Sequence, residues 1–167
     1  MDYCLDSNVF IQAKNAHYHF SICPGFWDWL VFRVGTVGSI SPVLEELQNG
    51  NDELKDWAEE IKGSHFFAEV TEPTVQEIFR SIASYAVENH SQRVAEHFLS
   101  GADPWLIAFA KVHGCIVVTH EAYNPQAKRK ILIPNVCHEF EVDYTDCFTM
   151  LKNLDVRFVL EETRNGE

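Results

Sequence analysis

Tyr3-Cys4-Leu5-Asp6-Ser7-Asn8-Val9-Phe10-Ile11 is the stretch on which the reading of the chain turns. A short apolar run begins almost at the first residue and stops at a carboxylate, a hydroxyl and an amide. A buried parallel strand has this form when its C-terminal edge delivers polar groups to a site. The same letters also fit a strand followed by an Asp-Ser-Asn turn, because all three residue types bond readily to nearby backbone. The way the later segments end decides between the two.

Working outward, the segment between this strand and Pro24-Gly25 reads as a polar connector. Phe26 to Val34 then has helical spacing, with Trp27, Leu30, Val31 and Val34 on one side and Phe26, Trp29 and Phe32 on a second. So wide an apolar surface fits ordinary core packing, or else a groove or dimer face. Gly35 and Gly38 bracket a second strand, Thr36 to Ile40. Ser41-Pro42 reads as an N-cap with proline at the first helical position. Val43, Leu44 and Leu47 line that helix's inner face, which puts Glu45 in solvent and Glu46 at the margin. Glu53 to Lys62 is a charged helix with a solvated face, and Phe66 to Val70 a third strand.

From Pro73 onward, Val75, Ile78, Phe79, Ile82, Ala83 and Ala86 keep helical register, and Ser91 to Leu99 makes a further short helix. Asp103-Pro104 opens another, with Trp105, Leu106, Phe109 and Val112 inward and Gly114 closing it. Cys115-Ile116-Val117-Val118-Thr119 is uncharged throughout and reads as a strand ending at His120-Glu121. Apolar Ile131 to Pro134, a helix over Thr145 to Asn153 and a last strand over Val156 to Leu160 follow, then a tail, 161–167, expected to fray. Strands alternate with helices without linker or repeat. The expected architecture is therefore α/β: one domain spanning 1–167, a three-layer α/β/α sandwich around a central parallel sheet.

Composition limits the function. The apolar fraction of 46% is ample for a core. No run approaches the ~20 apolar residues of a membrane span, and no basic-then-apolar leader opens the chain. Five cysteines in an odd set without Cys-x-x-Cys spacing suit free thiols in a reducing compartment, so a cytoplasmic protein without membrane partners is expected. His17-Tyr18-His19 with Cys23 offers only three ligands in no standard finger spacing, which argues against zinc. The net charge of −12 excludes a broad nucleic-acid coat, which needs Lys and Arg to neutralise phosphates. It leaves open a basic partner, or a small phosphodiester site bridged by cations.

Four acids stand where strands end or helices begin: Asp6, Glu46, Asp103 and Glu121. In an open parallel sheet those points share one rim. With 25 Asp and Glu in 167 residues some coincidence is expected, and Asp before Pro is also a good N-cap pair. Together they suggest metal chemistry, since carboxylate oxygens are the hard ligands that Mg²⁺ and Mn²⁺ prefer. Such a site can promote in-line displacement at phosphorus.

Leu5-Asp6-Ser7-Asn8-Val9-Phe10, Ser41-Pro42-Val43-Leu44-Glu45-Glu46-Leu47, Ala102-Asp103-Pro104-Trp105-Leu106-Ile107-Ala108-Phe109-Ala110 and Val117-Val118-Thr119-His120-Glu121, in that order, resemble a PIN domain. The resemblance runs from Tyr3 to about Glu121 and is nearest a PIN-like branch described as a domain of unknown function. It implies a metal-dependent endoribonuclease cutting single-stranded RNA to 5′-phosphate and 3′-hydroxyl ends, many such proteins being toxins of VapC-type toxin–antitoxin pairs. By the resemblance Asp6 and Asp103 are the principal Mg²⁺ or Mn²⁺ ligands and Glu46 the third acid. Ser7, Asn8 and Thr119 hold the carboxylates by hydrogen bonds. Glu121 stands where the family usually carries aspartate, and its extra methylene shifts or loosens a second metal. An antitoxin protein and a homodimer are the implied partners beside RNA.

Lys128, Arg129 and Lys130 form the densest basic cluster, either a solvated loop or a contact to RNA phosphates or an acidic antitoxin segment. Two other readings compete with the nuclease: a PIN-like module that binds RNA or protein without cutting, and a flavodoxin-like phosphoacceptor domain. The latter wants an acidic pair ending the first strand and a lysine closing the fifth, and neither is evident.

Overall fold

A computed structural model describes residues 1–159. Five strands, β1 (Tyr3–Leu5), β2 (Val37–Ile40), β3 (Phe67–Ala68), β4 (Ile116–Val118) and β5 (Tyr144–Thr145), form one sheet in the order β3-β2-β1-β4-β5. Every pairing is parallel. β1 is fully buried, as a central strand covered on both faces must be. With helices on both faces, the three-layer α/β/α sandwich is as expected.

The helices in chain order are α1 (Ser7–Gln12), α2 (Pro24–Phe32), α3 (Ser41–Gln48), α4 (Glu53–Ile61), α5 (Pro73–Asn89), α6 (Gln92–Leu99), α7 (Asp103–His113), α8 (Ile133–Glu139) and α9 (Cys147–Asn153). α7 is sheathed by the sheet, α5, α6 and α8, so Leu106 to Ala110 are buried without a break. Trp105 instead lies at its flank, stacked on Phe79 of α5 with ring centroids 3.7 Å apart. Gly114 ends α7 at φ +66°, a left-handed cap that glycine adopts at least cost.

Several expectations are corrected. The connector after β1 is instead helical: α1 starts at Ser7 and runs into a π-helical turn, Ala13–His17, because Val9, Phe10 and Ala13 have a buried face to fill. The apolar Ile131 to Pro134 leads into α8, with Pro134 in its first turn. The fifth strand is Tyr144–Thr145, not Val156 to Leu160. As a two-residue, half-exposed edge strand it carries no apolar run to announce it, while 156–159 is irregular. Leu160 and the tail 161–167 lie outside the described residues.

Ser41 is not a cap either: α3 already includes it, and its hydroxyl donates to Glu69 Oε2 at 3.2 Å. The helix over 26–34 ends at Phe32. It buries Phe26, Trp27 and Leu30 but leaves Phe32 82% exposed. All five cysteines are free, and among the described residues no helix is long and apolar enough to cross a membrane.

Gly38 in β2 is required by space. A Cβ there would sit 2.7 Å from the Phe66 carbonyl oxygen and 2.6 Å from Met1 Cε. The methionine can move, but the carbonyl cannot, because it accepts the Ser39 N–H across the sheet at 2.9 Å. Gly38→Ala is expected to destabilise the fold by roughly 1–3 kcal/mol, the usual cost of overpacking, read as a lower midpoint in urea at unchanged slope.

Candidate functional site

The chain leaves β1 toward β2 and β3 on one side, then crosses to β4 and β5 on the other. The switch point therefore lies between β1 and β4, and the crevice outside their carboxyl ends is where ligands bind in such sheets. Asp6 is the first residue past β1. Its N–H donates to the Val118 carbonyl at 2.9 Å, extending the ladder one step and fixing the side chain at that crevice. Thr119 is the first residue past β4, and its hydroxyl donates to Asp6 Oδ2 at 3.0 Å. Ser7 and Asn8 add weaker donors at 3.3 and 3.4 Å.

Asp6 is 1% exposed and has no cationic partner among the described residues. Burial pushes its carboxyl above the usual range, the Thr119 hydroxyl pulls it back, and the negative charge of Glu121 pushes it up again. The hydrogen bonds orient this carboxylate without neutralising it.

Asp103 is brought to the same crevice by α7. Its structural alternative fails: the N-cap is Ala102, and Asp103 is the first helical residue, with no side-chain capping bond. Its carboxyl is pushed from the usual 3.8 up to about 8, by burial first and then by the charges of Asp6 and Glu121; Lys130 opposes this and Glu46 adds to it. Mutual repulsion of this kind places all four predicted acids in one electrostatic neighbourhood.

Glu46 reaches the crevice with one oxygen engaged and Glu121 with both. Glu46 Oε1 accepts the Ala102 N–H at 2.8 Å, tying α3 to the N-terminus of α7. Gly101 leaves room for it, since a Cβ there would lie 3.3 Å from that oxygen. Glu121 Oε2 accepts the Ile133 N–H at the start of α8 at 2.8 Å, and Oε1 is paired with Lys130. Glu121 N–H also donates to Thr119 Oγ1 at 3.2 Å. Among the described residues no three or more His, Cys, Asp or Glu stand in an arrangement that would by itself hold a metal ion. Among the described residues Asp6, Glu46 and Asp103 have no ion-pair partner, and Asp103 has no side-chain capping bond. Two carboxylates with water completing the shell suit Mg²⁺, a hard cation that keeps much of its hydration.

Asp103 opens on a cleft of about 1130 Å³. Lys128, Arg129 and Lys130 line it from the loop before α8, and Arg93 and His97 from α6. Four of the chain's 13 Lys and Arg thus face one opening in a molecule of net charge −12. The loop cations stand out in the sequence as a run, whereas those of α6 do not. The available signal was Arg93 and His97 at i, i+4, on one helical face just ahead of the Gly101-Ala102-Asp103 turn. His120 lies off this cleft, 6.0 Å ring to ring from His17 and near Phe148.

Residues 3–158 match the model of a family described as "Domain of unknown function (DUF4411)". No curated protein and no solved structure matches the chain.

Proposed function

The chain belongs to the DUF4411 family, and we propose that it is a Mg²⁺- or Mn²⁺-dependent endoribonuclease of PIN type acting on single-stranded RNA. One observation carries this reading: two carboxylates, Asp6 buried and Asp103 half-buried, neither in an ion pair among the described residues, stand at the sheet's switch point, and Asp103 opens on a cleft lined by four basic side chains. An acid pair so placed favours a hard cation, and basic walls above it favour a phosphate backbone.

Asp6 and Asp103 would hold the cation, which supplies Lewis-acid stabilisation of charge at the scissile phosphate. Thr119, Ser7 and Asn8 fix the Asp6 carboxylate by hydrogen bonds. Glu46 fixes the start of α7, and with it Asp103. Arg93, Lys128 and Arg129 would bind backbone phosphates on either side of the cut. Electrostatic positioning of this kind needs no base-specific contact, so the substrate class is single-stranded RNA rather than one sequence.

We further propose a toxin restrained by an antitoxin protein, in the cytoplasm, where five free thiols are stable. The exposed Phe32 on α2 is the proposed face for homodimer contact. Glu46 and Glu121, both engaged by backbone N–H groups, favour the second reading, a module that binds RNA without cutting it.

The deciding experiment is incubation of purified protein with a single-stranded RNA in Mn²⁺, in Mg²⁺ and in EDTA. Cleavage that needs the cation and leaves 5′-phosphate ends supports the nuclease. Tight RNA binding with no cleavage in either metal leaves the binding module. Thr119→Val, which removes the best donor to Asp6, is expected to lower the cleavage rate by roughly 10–100-fold with the fold intact by circular dichroism.

A further inference from the structure

Lys130 differs from its neighbours in the basic loop. Its ammonium contacts Glu121 Oε1, while the other oxygen of Glu121 accepts the Ile133 N–H at 2.8 Å. Glu121 is in turn bonded through its own N–H to Thr119, whose hydroxyl holds Asp6. The glutamate is 12% exposed at its side chain and fixed from three directions, and the lysine, 48% exposed, is tethered to it by the ion pair. Ile131 and Ile133, 2% and 0% exposed, anchor the backbone directly after Lys130 in the core. The lysine lines the same cleft as Asp103. Burial works against its charge, but the bond to Glu121 and the charges of Glu121, Asp103 and Asp6 outweigh burial and keep it protonated.

We propose that Lys130 takes the place of a second divalent cation, so that the site works with one metal ion and one tethered ammonium. This rests on the nuclease reading of the same site. Phosphodiester sites with two metals use the pair to neutralise the carboxylates and to clamp the oxygens that gain charge on either side of phosphorus. Here Lys130 is paired with Glu121, which leaves Asp6 and Asp103, with the half-buried Glu46 beside them, for a single divalent ion. Both oxygens of Glu121 are engaged, Oε1 by Lys130 and Oε2 by the Ile133 N–H, so a second ion would have to compete with the ammonium for this carboxylate. A lysine is a compact point charge on a flexible stem, able to follow an oxygen as it gains charge. The glutamate at position 121 then serves to seat the lysine, and its extra methylene relative to aspartate provides the reach.

The test is the number of Mn²⁺ ions bound per chain, measured by calorimetry and by the free-Mn²⁺ resonance signal, on wild type, Lys130→Met and Lys130→Arg. The wild type is expected to bind one ion, Lys130→Arg one, and Lys130→Met two, as Glu121 is released. Cleavage by Lys130→Met is expected to fall at least about 30-fold, the scale of a lost charge at a transition state. Two ions on the wild type, or one on a folded Lys130→Met, overturn the proposal without help from any activity. A wild type that binds one Mn²⁺ but cuts no RNA removes the nuclease reading, and the ion count still decides the role of Lys130. Lys130→Met cleaving at the wild-type rate overturns the proposal and leaves the nuclease reading standing.

Discussion

Asp103→Asn is expected to lower RNA cleavage by about 1000-fold or more, the scale seen when a group that holds a catalytic metal is lost, and at the same time to melt higher than the wild type in EDTA at pH 7. The two effects have one cause. Asp103 in the folded protein holds its proton up to about 8, well above its usual 3.8, because burial and the charges of Asp6 and Glu121 penalise the ionised form. In the unfolded chain it ionises in the ordinary carboxylate range. Between those values the folded state binds more protons than the unfolded state, so stability falls as pH rises through that window. Asparagine removes the titration while keeping the shape. The expected gain is roughly 1 kcal/mol after allowance for solvent in the cleft, or about 2–4 °C in melting temperature at this chain length. Differential scanning fluorimetry in EDTA and a cleavage assay in Mn²⁺ check both halves. A variant that is less stable and fully active would mean that Asp103 is structural.

Mn²⁺ affinity should depend steeply on pH. A cation replaces the proton on Asp103, so below about 8 each unit of pH is expected to weaken binding by about tenfold. Between pH 8 and pH 6 the loss is about 100-fold, joined by a smaller one from Asp6, whose carboxyl is also raised. Addition of Mn²⁺ should reverse the stability trend of the metal-free protein, since an ion that binds only the folded state stabilises it more as its affinity rises. Melting temperatures from pH 5.5 to 8.5, with and without 1 mM Mn²⁺ (roughly 1000-fold above a micromolar dissociation constant), would show the two curves diverging toward high pH. Parallel curves would mean that no proton is exchanged for the ion.

Much of this site is legible in the letters of the chain, for a definite reason. Central parallel strands are short apolar runs, and a sharp polarity change marks each carboxyl end, so Asp6 after Leu5 and Thr119 after Val118 announce themselves. Helical register placed Glu46 at the margin of α3 and Glu45 in solvent, and the structure agrees on both, half-buried against exposed. What the letters do not carry is partner choice. Nothing local distinguishes a glutamate that accepts a backbone N–H fifty-six residues away, as Glu46 does from Ala102, from one that points into water. Nor does the pattern show that Asp103 is the first residue of its helix rather than the cap, a one-residue difference that frees its carboxylate. Edge strand β5 escaped because two half-exposed residues have no periodicity to detect. The first helix escaped because six residues after a strand look like a turn.

Calorimetric titration of the metal-free wild type, Asp6→Asn and Asp103→Asn with Mn²⁺ at pH 7, in two buffers of different ionisation enthalpy, tests the shared cation site most directly. The account predicts binding to the wild type with release of about one proton, as Asp103 titrates near 8, and no measurable binding to either variant. Binding to all three alike, or to none, would contradict it.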